Sequence, residues 1–222
     1  MLKTERMDRV RAALRAQGLT QMIVCDPKSV WYLTGVAVEP YERLLALYLP
    51  TEGEPVLFLN RLFNVPEPPC RTVWHTDTDK PVAQIAEVVD AGRPLGIDKE
   101  WPAKFLIPLM ETHPGMQVVL SSDCVDDCRA CKDAEEQALM REASRINDAV
   151  NEAAKHYIKA GMTEREVAEF IDAQFRAHGC EGPSFTTIVS FGANAADPHH
   201  EPDDTVLKEG DCVLSVSYTH LT

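Results

Sequence analysis

The chain has 222 residues, enough for one large domain or two small ones. Hydrophobic residues make up 45% and charged residues 26%, an ordinary globular composition. The formal net charge of −13, with no Lys/Arg cluster, argues against a phosphate-backbone partner, so no nucleic acid is expected.

The N-terminus, MLKTERMDRV, is charged and lacks the apolar core of a signal peptide. No apolar run approaches the roughly 18 residues of a membrane span, so no membrane partner is expected. Seven scattered cysteines, an odd number, point to free thiols and a cytoplasmic location.

Glu5 to Gln17 has helical spacing, with Met7, Val10 and Leu14 on one face and Gly18 placed to end it. Met22 to Cys25 reads as a strand. Asp26-Pro27 opens a turn, and Ser29 to Gly35 a short helix ending at glycine. Leu44 to Leu49 and Val56 to Leu59 form a hairpin around Pro50 to Gly53. Thr72 to His75 is a further strand, Val82 to Val89 a helix, and Leu95 to Ile97 a strand. Phe105 to Met110 is a helix interrupted or kinked at Pro108, and Val118 to Leu120 the last strand of this part. Strands alternating with helices predict an α/β layer with a mixed sheet.

From Asp126 the character changes. Cys131 to Ile158 is helical, with Leu139, Ala143, Ile146, Val150, Ala153 and Tyr157 along one stripe. Gly161 stops this helix. Thr163-Glu-Arg-Glu166 is a capping box that opens the next one, which buries Val167, Phe170, Ile171 and Phe175 and ends at Gly179. Thr186 to Ser190 reads as a strand, Gly192 to Asp204 as a loop, and Cys212 to Leu214 as a strand after a tight turn at Glu209-Gly210. The result is an α+β unit. Trp31, Trp74 and Trp101 read as packing residues in the core or between domains.

Three groups could carry chemistry. Cys124-x3-Cys128-x2-Cys131 has the spacing of an iron–sulfur ligand set, but it sits mid-chain among Asp126, Asp127 and Arg129 and leads into a helix. Glu201, Asp203 and Asp204 read as a solvated acidic loop. His199 and His200 lie between Pro198 and Pro202, two residues that restrict φ and stiffen the segment. These imidazoles are either solvated turn residues or groups held over a site.

The segment S-F-x-T-I-V-S-x-G-x-N-A-A-x-P-H-H followed by L-K-x-G-D-x-V-L resembles the catalytic core of the creatinase/proline-peptidase ("pita-bread") metallohydrolases. D-P-x-S-V-x-Y-L-T-G, from Asp26 to Gly35, is similar to a segment of that family's N-terminal domain, with Ser29 where Asn is common. R-x-x-K-D-x-E-E, from Arg129 to Glu136, resembles the entry to its catalytic domain.

The resemblance implies a creatinase-like N-terminal α/β domain over 1–125. It implies an incomplete α+β pita-bread domain over 126–222, with the match lost after 214. It implies metal-dependent hydrolysis of Xaa-Pro bonds, of the aminopeptidase P or prolidase type, in proline-containing peptides or dipeptides, by a homodimer. Manganese, cobalt or zinc is expected in the complete protein. His199 is the implied catalytic residue that meets the substrate or intermediate, and His200 has a weaker claim.

The family's metal ligands, two Asp, one His and two Glu, all follow the G-D-x-V-L strand. The first falls at about Val216, so no metal ligand is expected within this chain, which would be truncated in its catalytic domain. Ser215 to Thr222 is expected to leave the family's reading frame. The alternative is a non-catalytic binding or dimerisation module of the same fold, and behind it a creatinase-type hydrolase that uses no metal.

Overall fold

The computed structural model describes residues 2–219. It falls into two compact units, Met1–Cys131 and Lys132–Thr222. The sequence boundary after 125 lies inside the first unit, because Cys124 and Val125 are buried in that unit's core.

The first unit opens with α1 (Thr4–Ala16), β1 (Gln21–Val24) and α2 (Pro27–Thr34). Pro27 at the first helical position and the Asp26 cap, whose carboxylate accepts from Ser29 N, start α2. Gly35 ends it at φ +75°, a conformation that costs a side-chain-bearing residue. There follow β2 (Ala46–Pro50), β3 (Val56–Asn60), β4 (Arg71–His75), α3 (Pro81–Ala86), β5 (Leu95–Ile97), α4 (Ala103–Thr112), β6 (Val118–Leu120) and α5 (Asp123–Ala130). The strands form one mixed sheet in the order β4-β3-β2-β1-β5-β6. β2 is antiparallel to both β1 and β3, while β1–β5, β5–β6 and β3–β4 are parallel.

Successive strand residues point to opposite faces, and both faces are covered. Met22, Val24, Leu47, Leu49, Leu57 and Leu59 pack with α1, α2 and α5. Ile23, Ala46, Tyr48, Val56, Phe58 and Ile97 pack with α3 and α4. Gly96 is required by close approach: a Cβ there would stand 2.5 Å from Ser121 Oγ.

Two expectations change. α4 runs on through Pro108, at the cost of one N–H to the Lys104 carbonyl. Trp31 is 38% exposed, although Trp101 is buried as a packing residue.

The second unit holds α6 (Ala134–Tyr157), α7 (Glu164–Ala177), β7 (Ile188–Phe191), a 3-10 turn (Gly192–Ala196) and β8 (Val213–Val216). The long helix does not begin at Cys131. Asp133 caps it, accepting from Glu136 N while Glu136 accepts from Asp133 N, and this capping box separates α5 from α6. Ile146, Val150 and Ala154 of α6 meet Val167, Ile171 and Phe175 of α7 and Val189 and Phe191 of β7. Ala154, rather than Ala153, is the buried member of the stripe.

The last strand continues past Leu214. β8 pairs antiparallel with β7 through Ser215 and Val216. Ser217 Oγ lies 2.9 Å from Thr187 Oγ1, and Thr219 N donates to Asn147 Oδ1. His220, Leu221 and Thr222 lie outside the described residues.

Candidate functional site

The site is built where α7 begins. Thr163 caps the helix and accepts from Glu166 N, and Glu166 accepts in return from Thr163 N. The chain returns alongside this first turn forty residues later. Leu207 N donates to Met162 O, Gly161 N to Leu207 O, and Glu164 N to Thr205 O. Thr163 and Val206 form an antiparallel bridge. The loop that precedes Thr205 is therefore anchored against the helix start.

Glu164, the first residue of α7, is fully buried. Its Oε1 accepts from Phe191 N at 2.7 Å and from Asn194 Nδ2 at 3.0 Å. Its Oε2 accepts from His200 Nε2 at 2.7 Å and from Asp203 N at 3.1 Å. A buried carboxylate is costly unless it is satisfied. Here four donors and the positive end of a helix dipole satisfy it.

His200 is half-buried beside Glu164. The Glu164 carboxylate hydrogen-bonded to its ring pushes the imidazole above the usual histidine range, against the effect of desolvation, and the charges of Glu164, Asp203 and Asp197 add to the rise. His199 is exposed, and its backbone N–H donates to Asp197 Oδ1 at 2.9 Å.

Asp203 is exposed. Hydrogen bonds from Thr205, followed by smaller contributions from Glu164 and His200, hold its carboxyl below the usual range. Asp204 pairs with Arg165 at 3.1 Å. The acidic loop is thus largely solvated, but Asp203 reaches the Glu164 group.

Sequence reasoning placed His199 and His200 together but missed Glu164, which read only as a first-turn acid inside a capping motif. The available signal was the pairing of Asn194 and His200 with an acid that could meet them.

Glu164, His200 and Asp203 offer ligating atoms that all lie within 4.8 Å of one another. They do not fit a divalent ion. His200 Nε2 and Glu164 Oε2 are at hydrogen-bond separation, 2.7 Å. Two atoms each ~2.1 Å from one tetrahedral or octahedral ion would stand roughly 3 Å or more apart. Each Glu164 oxygen also already accepts two N–H groups. Val216, where the resemblance places the first ligand, has no ligating atom and is paired with Ile188.

The three cysteines form no common site either. Cys124 is buried in the first unit's core, and burial pushes its thiol up to about 11, while Cys131 is exposed. A cleft of about 450 Å³ in the first unit, beyond the carboxyl ends of β1 and β5, is lined by Asp26, Asp98, Lys99, Trp101 and Arg129. Its charges pair internally, Lys99 with Asp126 and Arg129 with Asp26.

Residues 6–131 match the creatinase/prolidase N-terminal domain. The chain belongs to the creatinase/prolidase family. Residues 138–221 of this family member match metallopeptidase family M24, so the match continues past Leu214.

It is similar to the putative dipeptidase YkvY of Bacillus subtilis, 29% identical over 94% of this chain and 60% of that protein. It is also similar to the probable dipeptidase PepE of Mycobacterium bovis, 31% identical over 91% of this chain and 56% of that one. Among solved structures, a prolidase from Thermococcus sibiricus superimposes with a TM-score of 0.87 at 27% identity, over 98% of this chain and 61% of that one. The dipeptidase PepE from Mycobacterium ulcerans gives 0.86 at 29% identity, over 96% and 59%. The chain thus spans about three fifths of the length of the relatives it matches. Among the described residues no helix is long and apolar enough to cross a membrane.

Proposed function

We propose that the complete protein is a cytoplasmic, homodimeric dipeptidase that hydrolyses Xaa-Pro bonds with a divalent metal, manganese, cobalt or zinc. The carrying observation is the exposed His199 on a loop whose other end is fixed to α7 through Glu164 and the Thr163–Val206 bridge. An imidazole N–H presented in this way can donate to the oxygen of a substrate carbonyl as it takes on negative charge. The metal belongs to the complete protein. The described residues of this chain contain no group that fits it.

For residues 1–222 taken alone, the favoured reading is a non-catalytic module of the same fold, because the Glu164–His200–Asp203 group, the one cluster of three ligating side chains among the described residues, is saturated at Glu164 by internal hydrogen bonds.

The test is hydrolysis of Leu-Pro and Leu-Ala by the complete protein with added manganese, with residues 1–222 assayed in parallel. Faster cleavage of Leu-Pro, a loss of about 10²-fold or more in kcat for His199→Ala, and no cleavage by residues 1–222 are expected. Equal cleavage of both dipeptides sinks the proline preference, and an unaffected His199→Ala sinks the role of that residue.

A further inference from the structure

We infer that Glu164 is the positioning residue of this loop: it claims the Nε2–H of His200 and so leaves His199 as the imidazole free to meet a ligand. The inference rests on the peptidase reading only for what that ligand is.

The geometry that carries it is specific to each ring. His200 Nε2 is 2.7 Å from Glu164 Oε2, an atom that can only accept when ionised, so Nε2 carries the proton. Asn194 Nδ2 also lies 3.2 Å from Nε2, but Asn194 donates its two amide protons to Glu164 Oε1 and Thr205 Oγ1. It has none left for the ring. One nitrogen of His200 is therefore committed to the buried carboxylate.

The other groups facing this ring are acids of its own loop, Asp203, whose Oδ2 is 4.0 Å from Nε2, and Asp197. All three neighbours favour an N–H donor on His200. None of these contacts involves the ring of His199, whose backbone N–H, among the described residues, donates to Asp197 Oδ1.

Glu164 does more than orient one ring. Through Phe191 N it holds the end of β7, through Asn194 the 3-10 turn, and through Asp203 N the far side of the loop. One carboxylate thus fixes three points around the His199–His200 pair. A residue at the start of a helix is suited to this, because its backbone is already immobile.

The test is long-range proton–nitrogen NMR on nitrogen-15-labelled protein, with the imidazoles assigned from His199→Gln and His200→Gln. In the wild type, neutral His200 is expected to keep its proton on Nε2 and to titrate above the ordinary ~6.5. In Glu164→Gln the His200 midpoint is expected to fall toward that ordinary value. The wild-type tautomer alone keeps the inference falsifiable if the variant does not fold.

A neutral His200 protonated on Nδ1, or a His200 midpoint indifferent to Glu164→Gln, overturns the assignment. So does stoichiometric manganese that broadens the His200 signals, which would make the group a metal site. These readouts need no turnover, so they stand even if the peptidase reading fails. If the complete protein does cleave dipeptides, Glu164→Gln is expected to lower kcat about tenfold with little change in KM. A merely structural loss lowers the folded fraction but leaves kcat per folded molecule intact.

Discussion

Arg129 Nη1 lies 3.1 Å from Asp26 Oδ2 and 3.0 Å from Ser29 Oγ, so the end of α5 is tied to the start of α2. Asp26 Oδ2 also accepts from Ser29 N and Ser29 Oγ, both at 2.8 Å. One carboxylate oxygen thus caps a helix and receives an arginine. Asp26→Ala is expected to cost about 1–3 kcal/mol, the sum of a lost cap and a half-exposed charged hydrogen bond. Asp26→Asn, which can still cap, is expected to cost less. Urea denaturation of both variants checks the order, and equal losses would refute the capping account.

Gly96 stands where any side chain meets Ser121 Oγ at 2.5 Å and the Gln21 carbonyl at 3.2 Å. Gly96→Ala is expected to destabilise the first unit by about 1–3 kcal/mol, the usual range for overpacking. Pairing the substitution with Ser121→Ala is expected to recover part of the loss, because the closest atom is removed. A denaturation midpoint that stays put in the single variant contradicts this.

The Glu164–His200 pair makes stability depend on pH with a definite sign. His200 is raised in the folded chain, so its contribution is fully present below the unfolded value of about 6.5 and is lost as pH rises through the folded value. Asp203 is lowered, so its contribution is present above about 3.9 and is lost as pH falls through its folded value. The two together favour the window between these limits. The stability difference between wild type and His200→Gln is expected to be larger at pH 6 than at pH 9. Urea curves at the two pH values check it, and a difference that grows with pH is the wrong sign.

Phe175 is 1% exposed at the centre of the second unit's core. Phe175→Ala is expected to cost about 3–5 kcal/mol. Truncating His199, which is exposed, is expected to leave stability within about 0.5 kcal/mol. Thermal melts of the two variants separate a folding role from a functional one.

The cysteines should separate by reactivity. Cys131 and Cys212 are exposed. Cys25 is buried, and burial followed by the charges of Asp98, Asp26 and Glu100 pushes its thiol far up. Burial also raises Cys124. Iodoacetamide at neutral pH is expected to label Cys131 and Cys212 in the folded chain, and Cys25 and Cys124 only after unfolding. Early labelling of Cys25 would mean that the first core opens locally.

Much of the fold was legible because local rules and burial agree. The turn at Asp26-Pro27, the stop at Gly35, the Thr163 box and the apolar runs of β2 and β3 each act within a few residues. The misses came where distant chain decides. Glu164 has the ordinary look of a first-turn acid, and only the return of residues 203–207 buries it. Cys131 and Lys132 carry no breaker, so the gap before α6 shows only through the Asp133–Glu136 exchange. Residues past Leu214 lack a familiar motif, yet a strand needs only register with its neighbour, and β7 supplies it. The two histidines were visible as a pair, but nothing in their order says which ring is committed.

The sheet order carries a consequence for how the first unit assembles. β1 lies between β2, its antiparallel neighbour, and β5, a parallel neighbour encoded much later. The β2–β3 hairpin can form early because its loop is short. Closure of β1 onto β5 must wait for the intervening chain, with the loop entropy that such a span entails. During synthesis, one edge of the central strand therefore stays unpaired until Leu95–Ile97 emerges, and refolding is expected to show a slow phase that shortening the β3–β5 connection would speed.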